Sequence, residues 1–174
     1  MTKEEFIEYV YKETRVRLTD DQFYGKEKIE GDLYLNSLTS IPEGFNPNVG
    51  GNLYLNNLTS IPKGFNPIVN GSLNLSSLTS ISKEFNPKVG GSLTLNSLTS
   101  IPKEFNPMVN GDLFLDGLKE IPEGFNPNVV GNLYLNNLTE IPENFNTNKI
   151  GRSIYITNDF IDIKPTIEFI NFNI

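Results

Sequence analysis

Two carboxylates four residues apart, such as Asp112 and Asp116, could in principle act as an acid–base pair. In an extended segment, residues at i and i+4 point to the same side, so both would lie on one open face. On an open face both carboxylates would be exposed to water, whereas a catalytic carboxylate often lies in a pocket that excludes it. Histidine and cysteine are absent, which removes the commonest general base and metal ligands. The sequence therefore predicts a protein that is not an enzyme, with no cofactor and no metal.

The charge is acidic and uneven. The chain holds 21 acids and 14 bases, a net charge of −7, and shows no basic stripe. Nucleic-acid binding is not expected, because its affinity depends on Lys and Arg contacts to phosphate. Residues 111–150 concentrate the acidity, with six acids against Lys119 and Lys149. This charge suits a basic protein partner or mimicry of a nucleic acid, and it also has the simpler interpretation of keeping an asparagine-rich protein soluble.

A unit of 20 residues is repeated six times between Gly31 and Ile150. Its pattern is G-x-L-x-L-x-x-L-T-S-I-P-x-x-F-N-P-x-V-x, and Gly151 opens a degenerate seventh copy. A strict period of this length predicts a solenoid of stacked coils. We therefore divide the chain into an N-terminal cap (1–30), six repeats (31–150), and a seventh coil with a C-terminal cap (151–174).

Each unit is predicted to contain one short strand. In the second unit, Leu53-Tyr54-Leu55 alternates with a period of two, which places Tyr54 on the outside. Pro62 ends regular pairing because it has no backbone N–H. One unit cannot bury its apolar residues alone, but stacked units cover each other. The residues of this unit expected inside are Leu53, Leu55, Leu58, Ile61, Phe65 and Val69.

Two further repeat positions have competing interpretations. The asparagines equivalent to Asn66 form a ladder, which is either a row of ligand contacts or a means of satisfying backbone groups at a recurring turn. Turn chemistry favours the second interpretation. The glycines that open the units are expected to supply a positive φ or close packing between coils.

The motif L-x-L followed by L-x-x-I-P, and then by an inward Phe and Val, resembles the leucine-rich repeat. The resemblance covers residues 31–150, and weakly 151–163, and is closest to short Asn- and Gly-rich arrays of bacteria and bacteriophages. Leu55 and Leu58 lie only three apart, a shorter spacing than in the usual repeat, which predicts a tighter and more β-like coil. The resemblance implies a mainly β, right-handed solenoid with a parallel β-sheet, in a family whose strand face typically binds proteins.

Both ends of the array are predicted to be capped. Thr2 and Glu5 fit a capping box, and apolar residues at helical spacing predict a helix from about Lys3 to Glu13. A lid over the first coil is expected from Val16, Leu18, Phe23 and Tyr24. At the other end, Ile154-Tyr155-Ile156 repeats the strand pattern one residue late. The apolar tail that follows is either a β-rich cap or a dimerisation edge, with Ile161, Ile163, Ile167, Phe169, Ile170, Phe172 and Ile174.

The outward central position of the strand carries two groups of aromatic residues. Asn74 and Thr94, in the middle repeats, separate these groups. Aromatic anchors with neighbouring acids suit a basic protein surface or an arginine-rich segment. The alternative is that the rings stack across strands and only stabilise the sheet. The candidate partner-binding residues are Tyr34, Tyr54, Asp112, Phe114, Asp116, Tyr134 and Tyr155.

Three functions fit these features. The first is a non-enzymatic protein–protein interaction module, such as a phage or bacterial inhibitor that sequesters a host defence protein through the strand face. The second is a scaffold that forms a homodimer through the Ile/Phe-rich tail. The third is contact with carbohydrate or ice through surface ladders, such as the threonines equivalent to Thr59. No apolar run is long enough to cross a membrane, and the acidic N-terminus lacks an apolar core. We expect a cytoplasmic protein in the producing or infected cell.

Overall fold

The computed structural model describes residues 1–157 and the backbone of residues 159–162. The repeats form a mainly β solenoid of about six stacked coils, which confirms the predicted fold class. Each of the first five repeats contributes two short strands rather than the one predicted, so two parallel sheets run along the solenoid. The sixth repeat contributes one strand, at Leu133–Leu135, and a single bridge from Ile150 to Val129.

The first sheet, which we call the valine sheet, is entirely parallel, and its strands lie side by side in chain order. Its outward residues alternate with buried valines such as Val69. Its strands are β1 (Lys28–Ile29), β3 (Asn48–Val49), β5 (Ile68–Val69), β7 (Lys88–Val89), β9 (Met108–Val109) and β11 (Asn128–Val129).

The second sheet, which we call the tyrosine sheet, contains the strand that the sequence predicts. Residues 20 positions apart pair in register, as Leu53 does with Leu73, so equal repeat positions form continuous ladders. Its parallel strands are β2 (Leu33–Tyr34), β4 (Leu53–Tyr54), β6 (Leu73–Asn74), β8 (Leu93–Thr94), β10 (Leu113–Phe114), β12 (Leu133–Leu135) and β13 (Ser153–Ile156).

The seventh coil joins the tyrosine sheet one residue late, as predicted. Tyr155 pairs with Tyr134, a separation of 21 residues, after a short 3-10 helix at Thr147–Lys149. The strand β14 (Asp159–Asp162) then pairs antiparallel with β13. The tail residues from Ile163 onward lie outside the described residues, so the choice between cap and dimerisation edge stays a prediction.

One apolar core runs through the coils. The inward Leu, Phe and Val residues are buried as predicted, whereas the Ile61 position is only partly buried in most repeats. The buried phenylalanines from Phe45 to Phe145 form a ladder with ring centroids 6.0–6.4 Å apart. Stacked rings on the tyrosine sheet are only 4.5–4.8 Å apart. Pure translation would give one spacing for both ladders, so successive coils are also rotated, and they lie closer together at the tyrosine sheet than at the phenylalanine ladder.

The opening glycines permit this close approach of coils. A Cβ on Gly91 would lie 2.8 Å from the carbonyl carbon of Gly71 in the coil below. Of the seven glycines at this position, only Gly31 has a positive φ. The close-packing alternative is therefore the one that applies to the other six.

The asparagine ladder satisfies backbone groups, as turn chemistry favours. The Oδ1 atom of Asn46 accepts a hydrogen bond from the backbone N–H of Asn66 at 2.7 Å, and Asn66 accepts one from Asn86 at 2.6 Å. Each side chain thus joins its coil to the next through a donor that the turn leaves unpaired. This ladder is part of the framework.

The N-terminal cap closes the first coil with two helices. Helix α1 (Lys3–Thr14) begins with the predicted capping box, and Phe6 and Val10 pack into the core. A second helix, α2 (Asp20–Phe23), was not predicted, although Thr19 and Gln22 form a capping box there. Tyr24, also predicted for the lid, is 46% exposed, but its ring packs edge-on against Phe23 and lies next to Gly44 of the first coil. The Lys3 ammonium group lies over the same ring.

Candidate binding face

The outward side of the tyrosine sheet carries all seven predicted partner-binding residues. We call this side the strand face and define it by three outward positions in each coil, which are Asp32, Tyr34 and Asn36 in the first. The intervening residues, such as Leu33 and Leu35, point into the core and are buried. The strict register of the sheet therefore places the central side chains in one row: Tyr34, Tyr54, Asn74, Thr94, Phe114, Tyr134 and Tyr155.

The aromatic residues of this row form two separate stacks. Tyr34 and Tyr54 have ring centroids 4.8 Å apart and planes within 8°. The second stack joins Phe114 to Tyr134 at 4.5 Å and Tyr134 to Tyr155 at 4.7 Å, each with an interplanar angle of 7°. Stacking covers the ring faces inside each stack. Tyr34, at the end of the row, is 54% exposed, whereas Tyr54, which has a neighbour on each side, is partly buried.

A recess separates the two stacks. Asn74 and Thr94 are the central residues of the two coils between Tyr54 and Phe114. With strands about 4.8 Å apart, the rings of Tyr54 and Phe114 lie about 14 Å from each other. The side chains flanking the floor of this recess are small and polar, such as Ser72 and Ser92. The strand face is thus two aromatic walls with a polar trough about two coils wide.

Asp112 and Asp116 lie on either side of Phe114, and both are tied to the next coil. Asp112 Oδ1 accepts hydrogen bonds from the backbone N–H of Asn132 at 2.7 Å and from its Nδ2 at 3.1 Å. Asp116 Oδ1 accepts from Asn136 in the same way, at 3.3 Å and 2.8 Å. These bonds fix the position of both carboxylates. They also assign a structural role to two residues that the sequence marks only as binding candidates.

The Asp112 bond belongs to a ladder along one edge of the strand face. Asn52 Oδ1 accepts from the backbone N–H of Ser72 at 2.7 Å, and Ser72 Oγ accepts from Ser92 at 3.0 Å. An amide, a hydroxyl or a carboxylate can fill this position, because each supplies the required acceptor. A carboxylate is therefore not needed for the ladder, and the charge at Asp112 is additional to it.

Asp32 is a polar residue of the face that the sequence interpretation missed. Its Oδ1 accepts from the backbone N–H of Asn52 at 2.7 Å, and its Oδ2 accepts from the Tyr34 hydroxyl at 2.8 Å. The bonds from Asn52 and Tyr34 hold the pKa of Asp32 below its ordinary value, and the bond to Asp32 raises the pKa of Tyr34. The shared repeat position of Asp32 and Asp112 was the signal that could have identified it.

The charge of the strand face has one sign. Its acids are Asp32, Asp112 and Asp116, and none of its outward positions from residue 32 to residue 157 holds Lys or Arg. Burial and the charge of Asp112 raise the pKa of Tyr134 above its ordinary value. The lysines of the repeats occupy other positions, as Lys83 and Lys103 do on the turns. The face therefore combines aromatic rings with negative charge.

The concavities found on the described surface lie away from the strand face. Three concavities of about 170, 230 and 430 Å³ lie on the turns of the last repeats and beside α1, away from the strand face. Within residues 1–157, no three Asp, Glu, His or Cys side chains are grouped as a metal site would require. No helix in the described part of the chain is long and apolar enough to cross a membrane.

Comparison with known proteins does not assign a family. No protein-family model matches the chain, and no curated protein or solved structure matches it significantly. The resemblance to leucine-rich repeats stays a prediction from the repeat motif.

Proposed function

We propose that this chain is a non-enzymatic protein-binding module that engages its partner through the strand face. The observation that carries the proposal is the pair of aromatic stacks on an accessible sheet surface, with Asp112 and Asp116 beside the second stack. Aromatic residues are enriched among the anchors of protein interfaces.

The geometry supports a macromolecular partner. Seven strands about 4.8 Å apart give a face about 29 Å long, which is open along its length. The rings are already ordered by stacking, and the acids are already held by hydrogen bonds. Binding then requires little further ordering of these side chains, which favours affinity. A small ligand would use only a fraction of such a surface.

Within this class we propose an inhibitor that sequesters its target in the cytoplasm of the producing or infected cell. The support is the resemblance of the repeat to bacterial and bacteriophage arrays, together with a sequence that contains no histidine and no cysteine. A host defence protein is the kind of target that this role implies.

Selection from a displayed random-peptide library tests the use of the strand face. The bait is the full chain, compared with Tyr54→Asn/Phe114→Thr, which introduces residues that the chain itself has at this position in Asn74 and Thr94. The control is Tyr24→Thr, which removes an exposed tyrosine away from the face. We expect peptides that bind the wild type and the control but lose binding to the double variant. Equal binding to all three baits, or no enriched peptide, would refute the proposal.

The carbohydrate and ice alternative relies on the exposed threonine ladder. Thr79 Oγ1 donates to the carbonyl oxygen of Thr59 at 3.1 Å, so that hydroxyl is used inside the ladder. Lys119 interrupts the ladder at the equivalent position. A glycan array and an ice-recrystallisation assay with the full chain test this alternative directly.

A further inference from the structure

We propose that the recess between Tyr54 and Phe114 binds an arginine-bearing extended segment of a partner protein, with the guanidinium group on the Phe114 ring between Asp112 and Asp116. This inference rests on the proposed protein-binding function and specifies the partner's chemistry.

The Phe114 ring provides the stacking surface. One of its faces is covered by Tyr134 at 4.5 Å, but its neighbour on the other side is Thr94, which has no ring. A planar cation between two rings would need about 7 Å between them, twice the shortest contact distance of about 3.5 Å. Spacings of 4.5–4.8 Å within the stacks exclude it there. The side of Phe114 that faces the recess is where a guanidinium group fits.

Two carboxylates flank the Phe114 ring, and their negative charge attracts a cation that lies on it. Asp112 and Asp116 are two residues before and after Phe114 on the same face, so each Cβ is about 7 Å from that of Phe114. Their hydrogen bonds to Asn132 and Asn136 use Oδ1 and hold both side chains in place. Arginine combines a planar surface for the ring with donors for carboxylates, whereas lysine offers only a point charge.

The other aromatic walls are less suited to a cation. At the Tyr34 end, Oδ1 and Oδ2 of Asp32 already accept hydrogen bonds from Asn52 and Tyr34. On the opposite wall of the recess, Tyr54 is flanked by the neutral residues Asn52 and Asn56. We therefore assign the cation to Phe114 and an uncharged side chain of the same partner segment to the Tyr54 wall.

Charge complementarity favours a cationic occupant over other partners. The strand face holds three acids and no Lys or Arg between residues 32 and 157. A phosphorylated or acidic segment would meet only like charge there, which is unfavourable at close range. An uncharged segment would leave the negative field of Asp112 and Asp116 without a partner.

Three synthetic peptides of identical length test the chemistry. Each is a capped nine-residue Gly/Ser peptide with three alternate positions occupied by arginine, by lysine or by citrulline. Titration into the ¹⁵N-labelled full chain, followed by amide NMR shifts, detects weak binding and locates it. We expect shifts concentrated at residues 92–96 and 112–116. We expect the arginine peptide to bind about threefold more tightly than the lysine peptide, the size of an exposed cation–π contact, and the citrulline peptide to bind most weakly.

Two kinds of variant test the site without disturbing the coil. Asp112→Asn and Asp116→Asn keep the Oδ1 acceptor, as Asn52 does at the position of Asp112. Each should weaken the arginine peptide by about threefold at low salt, whereas Glu123→Gln, outside the face, should not. Thr94→Tyr should extend the second stack over the open side of Phe114 and abolish the localised shifts.

The outcomes separate this inference from the function on which it rests. Equal binding of the arginine and lysine peptides, or unchanged binding by Thr94→Tyr, overturns the arginine site. If the arginine peptide does not bind while library-selected peptides still require Tyr54 and Phe114, the inference is wrong and the protein-binding function stands. If neither kind of peptide binds, both are wrong.

Discussion

Replacing Gly91 by alanine tests whether close coil packing explains the opening glycines. The added Cβ would lie 2.6 Å from Ser72 Oγ and 2.8 Å from Ser72 N and Gly71 C, whereas ordinary contact begins near 3.4 Å. Relief requires the coils to separate locally by about 0.6 Å, because most of the obstructing atoms are backbone.

That separation acts on two hydrogen bonds between the coils. The Gly91 N–H donates to the Gly71 carbonyl oxygen at 2.7 Å, and the Ser92 N–H donates to Ser72 Oγ at 3.0 Å. Lengthening both by about 0.6 Å takes them past the usual limit of about 3.2 Å, at about 1 kcal/mol each. Residual overpacking costs about 1 kcal/mol more, and the lower entropy of the unfolded alanine chain offsets about 0.5 kcal/mol. We expect a net loss of about 2–3 kcal/mol in unfolding free energy.

Urea unfolding followed by far-ultraviolet circular dichroism measures this loss. Gly64→Ala is the matched control, since a Cβ there meets nothing within 4 Å and the site has φ +81°. Its cost should be about 1 kcal/mol, from the left-handed backbone alone. A Gly91→Ala protein within about 0.5 kcal/mol of wild type, or no less stable than the control, would show that close packing is not the reason for the glycine.

Three further predictions concern the ladders. Thr94→Tyr should raise the unfolding free energy by about 0.5 kcal/mol through a new cross-strand aromatic contact, measured by urea unfolding; a loss of stability would contradict the stacking argument. Asn86→Ala should cost about 1 kcal/mol in the same assay, because it removes the acceptor for the Asn106 N–H, and Thr99→Ala serves as its control. Asp32→Asn should lower the pKa of Tyr34 toward its ordinary value of 10.0 in an ultraviolet titration. Folding lowers the pKa of Asp32, so the ionised carboxylate stabilises the folded state at pH values above its ordinary pKa of 3.8. This contribution is lost as the pH falls through the folded-state pKa. The Asn variant lacks this contribution to the pH dependence of stability.

The amino-acid sequence by itself determined the coil. The period of 20 residues, the Leu53-Tyr54-Leu55 alternation and the inward Phe65 and Val69 are local or repeated patterns, and the structure follows them. Helix α1 was predictable for the same reason, because its capping box and apolar spacing lie within a single turn or two.

Tertiary structure alone decided how the coils meet. The valine sheet was not predictable, because each of its segments carries a single recurring inward residue, such as Val69, and so lacks the alternation that Leu53 and Leu55 show. These strands form by pairing with residues 20 positions away. Likewise, covered ring faces and the bonds that hold Asp112 arise only when adjacent coils approach each other. The repeat pattern alone placed the aromatic and acidic residues on one face. The stacking of coils covers one face of the Phe114 ring with Tyr134 and leaves the face toward Thr94 without a ring.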